Sequence, residues 1–176
     1  MTAQLDALVF RPATVADAGR LAPVMAAGFE TYRAFASDTY VPPDEAEIAD
    51  TIATRLATPA AWCLLAEQDP DVAGYVAFLP AAEARHPVAD PALAHFWMLF
   101  VRAPWWGSGL AARLHAAACA EAAARGYRAM RLFTPAGQVR ARRFYEREGW
   151  TLAAGPYADE DLHLELVEYR RPLAAP

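Results

Sequence analysis

Apolar and polar positions follow two different periods along this chain, one typical of strands and one of helices. Runs rich in β-branched and aromatic residues predict strands, whereas apolar positions three and four apart predict helices. The strand pattern covers residues 8–11, 62–66, 72–79, 94–101, 128–134, 150–155 and 162–169. The helix pattern covers residues 15–35, a stretch that opens at Asp44 or Glu45, and residues 109–125 and 138–148. The order β-αα-βββ-α-β-α-ββ predicts a mixed α/β fold on one central sheet.

The same patterns predict the helix faces that enter the core. The stripe of the first helix consists of Val15, Leu21, Val24, Met25 and Phe29, and that of the second of Ile48, Ile52 and Leu56. Residues 81–93, with two prolines, predict a loop.

Composition and charge narrow the class of protein. A chain of 176 residues can form one domain with a full core, and we predict a single domain over residues 1–176. We expect no membrane span and no signal peptide, because no sufficiently long apolar stretch and no basic leader occur. A net charge of −5 argues against nucleic acid as a partner. Cys63 and Cys119 lie in apolar patterns, which predicts two buried thiols in a reducing cytoplasm.

The most informative segment follows the fourth predicted strand. The apolar run ends at Pro104, a turn with Gly107 and Gly109 follows, and an Ala/Leu-rich helix begins. Glycines let the backbone approach a ligand closely, and the free N–H groups at a helix start carry partial positive charge. This pattern predicts a cradle for a pyrophosphate.

Two common phosphate-binding motifs fit this turn poorly. Residues 107–112 match G-x-G-x-x-A of dinucleotide-binding proteins, but the next strand ends in Thr134 and Pro135 without the acidic residue that holds a ribose. A Walker loop requires a lysine, and all 16 basic residues of the chain are arginine.

The layout instead resembles the GNAT superfamily of acyl-CoA N-acyltransferases. Its signature, Gln/Arg-x-x-Gly-x-Gly/Ala, is matched by Gly109 and Ala111, whereas Trp106 replaces the usual Gln or Arg. Residues 138–150 resemble the family's Asn-x-x-Ala-x-x-Phe-Tyr-x-x-x-Gly-Phe helix, with Gln138 in place of Asn. The resemblance covers nearly the whole chain and implies a sheet splayed between its fourth and fifth strands.

The resemblance implies a site for acetyl-CoA, with CoA as product and no metal. Main-chain groups at the end of the fourth strand would pair with the pantetheine arm, and those of the turn would bind the diphosphate. The implied cofactor-binding residues are Leu99, Phe100, Val101, Trp106, Gly107, Ser108, Gly109, Leu110, Ala111, Ala112 and Gln138.

Two residues are candidates for proton transfer. Tyr145 matches the family's general acid, which protonates the leaving sulfur. His95 aligns with the family's glutamate base; a free imidazole titrates near pH 6.5 and would give a rate limb at about pH 6–7. A chain of water molecules without a single base is the alternative.

The acceptor is expected to be a primary amine of a small molecule. Phe29 and Tyr32 on the first helix and Trp97 on the fourth strand are candidate pocket walls, because aromatic side chains suit a cationic amine. A solvated helix surface would give the same composition on the first helix, and core packing explains Trp97 at least as well.

Other polar residues are assigned no role. His86, His115 and His163 are interpreted as loop, helix-surface and strand-face residues, and Asp159–Asp161 as a solvated turn. Arg140, Arg142, Arg143 and Arg147 are interpreted as a solvated basic helix face, with contact to the 3′-phosphate of CoA as the alternative.

The sequence therefore predicts a cytoplasmic, acetyl-CoA-dependent N-acetyltransferase that transfers acetyl directly, without an acyl-enzyme. Two alternatives stay open: a non-catalytic acyl-CoA-binding module on the same fold, and a nucleotide-dependent oxidoreductase. Assembly as a homodimer is also left open.

Overall fold

The computed structural model describes residues 5–160 and 162–174. Its strands are β1 (Val9–Pro12), β2 (Trp62–Gln68), β3 (Asp71–Pro80), β4 (Leu93–Val101), β5 (Ala129–Pro135), β6 (Thr151–Asp159) and β7 (Leu164–Pro172). Its helices are α1 (Ala18–Glu30), α2 (Glu45–Leu56), α3 (Leu110–Ala124) and α4 (Val139–Arg147). The element order matches the predicted order.

One seven-stranded sheet runs through the fold in the order β1-β2-β3-β4-β5-β7-β6. Neighbouring strands are antiparallel except for β4 and β5, which are parallel and connected through α3. Side chains alternate between the two faces of the sheet, so that Val76 and Phe78 enter one core with α3 while Tyr75 and Ala77 enter the other with α1 and α2. The predicted mixed α/β class is confirmed.

The helix stripes were predicted correctly except at one end. Six residues of the two predicted stripes are buried and contact the α1–α2 core, namely Leu21, Val24, Met25, Phe29, Ile48 and Ile52. Leu56 packs against the same core while staying partly exposed. Val15 is 46% exposed, because it lies in a 3₁₀ turn before α1 rather than on the helix.

Two predicted boundaries were wrong. The first helix was expected to continue to residue 35, but α1 ends at Glu30 and a 3₁₀ turn, Thr31–Ala34, follows. The Thr31 hydroxyl donates to the Gly28 carbonyl at 2.6 Å, a local hydrogen bond that competes with continued α-helix. The sixth strand was expected to end near residue 155, but an irregularity between Ala154 and Tyr157 absorbs Pro156 and pairing resumes beyond it.

Candidate active site

A cleft of about 1050 Å³ opens where β4 and β5 separate. The two strands pair only from Leu93–His95 to Ala129–Arg131, at the start of β4. On the other side of β4, Ala77 faces Met98 and Phe78 faces Phe96, which leaves Trp97 as an extra residue in the ladder. Such a bulge bends a strand, so that the second half of β4 leaves β5 and keeps one edge unpaired.

All of the predicted site residues line this cleft except Ser108 and Leu110. The Ser108 hydroxyl donates to the Trp105 carbonyl at 2.6 Å and accepts the Leu110 N–H at 3.2 Å. Leu110 is fully buried and anchors the first turn of α3 in the core. The side chains of both residues therefore stabilise the glycine turn from the side that faces away from the cleft. The roles predicted for the other residues remain predictions.

The turn between β4 and α3 has the geometry that an anion cradle requires. Gly107 and Gly109 have φ of +77° and +90°, a left-handed conformation that residues with a Cβ rarely adopt. A Cβ at Gly107 would meet nothing within 4 Å, so the backbone here borders open space. Within the described part of the chain, the N–H groups of Gly107, Gly109, Ala111 and Ala112 donate to no acceptor. These donors fit a diphosphate.

Trp106 and Arg140 form one side of this cradle. The Trp106 indole N–H donates to the Val101 carbonyl at 2.7 Å, which ties the turn to the end of β4. The Arg140 guanidinium carbon lies 3.6 Å from the centroid of the Trp106 ring. Both side chains line the cleft.

Tyr145 lies inside the cleft wall on α4 and is 9% exposed. Its ring packs edge-on against Phe96, Phe144 and Trp150. Burial raises the pKa of Tyr145 above its ordinary value, so the phenol keeps its proton at neutral pH. Burial and the nearby Tyr145 likewise raise the pKa of Tyr32, which faces the cleft from the opposite side.

His95 lies at the deep end of the cleft and is 7% exposed. Burial, followed by the positive charges of Arg131 and Arg55, lowers the pKa of His95 to about 3. Its Nδ1 atom has no hydrogen-bond partner within the described residues. Burial therefore favours the neutral imidazole and argues against the expectation that His95 titrates near pH 6.5.

The residues predicted to hold the acceptor all line the cleft. Phe29 and Tyr32 meet edge-on at 5.5 Å, and Trp97 lines the same space from β4. A polar stripe on α2, Glu47, Thr51 and Arg55, lines the cleft as well and was missed. These three residues are four positions apart, so the sequence alone could have shown that they share one face of the helix.

Two interpretations of polar residues were wrong. Asp159 was expected in a solvated turn, but it is 6% exposed and its Oδ2 lies 3.0 Å from Arg85 Nη1. Asp161, from the same predicted turn, lies outside the described residues. His115 was expected on a helix surface, but it is 2% exposed and accepts the Trp150 indole N–H at 2.8 Å. His86 and His163 are exposed.

The basic residues of α4 do not form a single face. Arg140 and Arg147 line the cleft, whereas Arg143 is exposed and is not part of the cleft wall. Arg142 donates to the Tyr169 hydroxyl at 3.1 Å and to the Ala136 carbonyl at 3.0 Å, which joins α4 to the sheet. Only two of the four arginines can therefore reach a ligand in the cleft.

Three further findings concern membranes, metals and thiols. No helix in the described ranges is long and apolar enough to cross a membrane. Residues 5–160 and 162–174 contain no cluster of His, Cys, Asp or Glu that could hold a metal ion. Cys63 and Cys119 are free and buried, as predicted.

Comparison with solved structures identifies the fold as that of N-acetyltransferases. A GCN5-related N-acetyltransferase from Kribbella flavida is 22% identical with a TM-score of 0.71, covering 97% of this chain and 100% of its own. An N-acetyltransferase from Staphylococcus aureus Mu50 is 19% identical with a TM-score of 0.71, covering 95% and 99%. The PaiA N-acetyltransferase from Thermoplasma acidophilum, solved in complex with coenzyme A, is 16% identical with a TM-score of 0.69, covering 92% and 97%.

The family itself is shown by sequence. The model of the acetyltransferase (GNAT) family matches residues 28–150, which is most of the chain. This protein therefore belongs to the GNAT acetyltransferase family. A comparison with curated protein sequences gave no match.

Proposed function

We propose that this protein is an acetyl-CoA-dependent N-acetyltransferase that passes acetyl directly to a primary amine of a small molecule. The observation that carries the proposal is the glycine turn with its unpaired N–H groups at the mouth of a cleft, in a chain of this family. Acetyl-CoA supplies the acetyl group as a thioester.

The main chain provides the cofactor site. The N–H groups of Gly107, Gly109, Ala111 and Ala112 bind the diphosphate at the start of α3, where the helix dipole adds partial positive charge. The edge of β4 at Leu99–Val101 does not pair with β5, and the Val101 carbonyl there already accepts the Trp106 indole N–H. The other main-chain groups of this edge hydrogen-bond the pantetheine arm and polarise the thioester carbonyl. Gln138 lies across the cleft at the start of α4 and contributes a side-chain amide.

Tyr145 acts as the general acid. Attack by the amine forms the C–N bond and breaks the C–S bond, and the departing sulfur takes the phenolic proton. The phenol is protonated at neutral pH, as a general acid must be before the bond breaks. Burial raises the pKa of Tyr145, which makes the proton harder to release, so the support for this role is the position of Tyr145 in the cleft wall.

His95 orients the water that takes the proton lost by the attacking amine; that proton passes to solvent, from which Tyr145 regains its own. Because the pKa of His95 is lowered to about 3, the imidazole is always in its basic form at neutral pH. It is also a weak base, so its contribution is to accept a hydrogen bond from the nucleophile and its water rather than to store a proton.

The remaining features agree with direct transfer in a reducing compartment. Both cysteines lie outside the cleft wall and burial raises the pKa of Cys63 to about 12, which leaves no reactive thiolate for an acyl-enzyme. The free thiols support the expectation of a cytoplasmic enzyme.

The decisive experiment incubates the purified protein with acetyl-CoA and a panel of primary amines, with free thiol detected optically and acetylated amine by mass spectrometry. Amine-dependent thiol release with a matching product supports the proposal. CoA binding without turnover on any amine contradicts it and favours the non-catalytic module. A thermal shift with NAD(P) but not with CoA favours the oxidoreductase.

A further inference from the structure

The departure from the family signature at Trp106 raises the question of what replaces the missing polar side chain. A Gln or Arg at this position could reach toward the diphosphate, whereas an indole cannot bind an anion in the same way. The only polar atom of the Trp106 side chain is already used, since its N–H donates to the Val101 carbonyl at 2.7 Å. The ring is thereby fixed with 45% of the residue exposed at the cleft.

Arg140 occupies the exposed face of that ring. Its guanidinium carbon lies 3.6 Å from the ring centroid, within the distance of a strong cation–π contact. Within the described residues Arg140 has no carboxylate partner and makes no side-chain hydrogen bond, and burial lowers its pKa. The cation is held in place but its charge is not neutralised.

The position of this cation matches the position of the cradle. Trp106 directly precedes Gly107, and Arg140 lines the same cleft as Gly107, Gly109 and Ala111. A planar guanidinium can bind two phosphate oxygens at once, and stacking on a ring reduces the side-chain freedom lost on binding.

We propose that Arg140, held against the Trp106 ring, binds the diphosphate of coenzyme A and replaces the side chain that the signature lacks. This inference rests on the proposed function, because it assumes that the turn binds coenzyme A. Trp106 is a positioning residue, and Arg140 makes the contact.

Calorimetric titration with two ligands tests the assignment. Coenzyme A and 3′-dephospho-coenzyme A share the diphosphate and differ only at the 3′-phosphate. Arg140→Ala is expected to lower the affinity for both ligands to the same extent, by about tenfold. This is the usual contribution of one charge-assisted hydrogen-bonding group. The salt dependence of binding should become shallower by the loss of one charge. Arg143→Ala is the matched control, because Arg143 is an exposed arginine on the same helix outside the cleft.

A double-mutant cycle tests the role of the ring. Trp106→Leu is expected to weaken coenzyme A severalfold in the wild-type background and to add little in the Arg140→Ala background, because the ring acts through Arg140. Trp106→Phe keeps the stack and should lose less. Thermal unfolding of each variant separates these effects from loss of the fold.

Three outcomes would overturn the inference. A loss confined to coenzyme A, with dephospho-coenzyme A unaffected, would assign Arg140 to the 3′-phosphate. Unchanged affinity for both ligands would leave Arg140 without a role, and additive effects of the two substitutions would show that Trp106 does not position it. If the wild-type protein binds neither ligand, the proposed function itself fails, which is distinguishable from all three.

Discussion

Mild acid is expected to destabilise the fold through two histidines that are buried without charge. His115 lies under the aromatic cluster that supports Tyr145: its ring contacts Phe144 and Trp150, and it accepts the Trp150 indole N–H. Burial, with a smaller effect from Arg171, lowers the pKa of His115 to about 4. Glu148 Oε2 lies 3.7 Å from its Nδ1 and would favour protonation, but the carboxylate is partly exposed and burial dominates.

The size of the effect follows from the two pKa values. An unfolded histidine titrates near 6.5, so below this pH the unfolded chain binds a proton that the folded protein excludes. The free energy of unfolding is therefore unaffected by these histidines above about pH 6.5, and it decreases as the pH falls below this value. At about pH 5 each such histidine costs about 2 kcal/mol, because one pH unit corresponds to about 1.4 kcal/mol. His95 and His115 together should cost about 4 kcal/mol. The pKa values of both histidines in the folded protein lie below pH 5, so the loss of stability at this pH comes mainly from protonation of the unfolded chain.

Urea unfolding at about pH 7.5 and about pH 5, followed by tryptophan fluorescence, measures this loss. His115→Gln keeps an acceptor for the Trp150 indole but does not titrate, so its loss between the two pH values should be about 2 kcal/mol smaller than that of the wild type. His163→Gln, at an exposed position, is the control and should behave as the wild type. Asp17 does not affect the comparison. Arg11 lowers the pKa of Asp17 to about 2, so its contribution to the free energy of unfolding is lost only below about pH 5. If His115→Gln loses as much stability as the wild type, His115 is not neutral in the folded protein and the reasoning is refuted.

Three further predictions concern the cleft. Tyr145→Phe should lower kcat by about a hundredfold, the low end for general acid catalysis, while the Kd for coenzyme A stays constant; an unchanged kcat would remove Tyr145 from the mechanism. Gly107→Ala should weaken coenzyme A binding in calorimetry, because a Cβ strains a φ of +77° by about 1–2 kcal/mol and enters the space next to the cradle; wild-type affinity would contradict the cradle. His95→Gln should lower kcat/KM by a similar factor at every pH between about 5.5 and 8.5, because a pKa of about 3 places no limb in that range; loss of a limb near pH 6–7 would show that His95 titrates there.

The sequence predicted most reliably what depends on local pattern. Strand and helix order follows from periodicity, and the glycine turn follows from two residues that must adopt positive φ. The errors lie where a distant partner decides the environment. His115 sits on an Ala-rich helix without a clear polar face, and it is buried by Trp150, 35 residues away. Asp159 is held by Arg85, 74 residues away, so nothing in its own neighbourhood distinguishes it from a solvated turn.

The cleft wall on α2 was missed for a related reason. Thr51 and Arg55 look like the solvent face of an amphipathic helix, and on most folds they would be one. They line the cleft because β4 separates from β5 after His95. If the two strands stayed paired, the sheet would be continuous here and the cleft would be closed.

The two halves of the cleft thus depend on the sequence in different ways. The half proposed to bind the cofactor is made largely of main-chain groups, and Gly107 and Gly109 there have a positive φ that favours glycine. In our proposal this half tolerates Trp106 in place of Gln or Arg because Arg140, stacked on the ring, supplies the charge. The half proposed to bind the acceptor is lined by side chains from α1, α2 and the segment around His86, whose identities follow from no backbone requirement. This difference explains why the family can be identified from a short signature, whereas the acceptor has to be found with an amine panel.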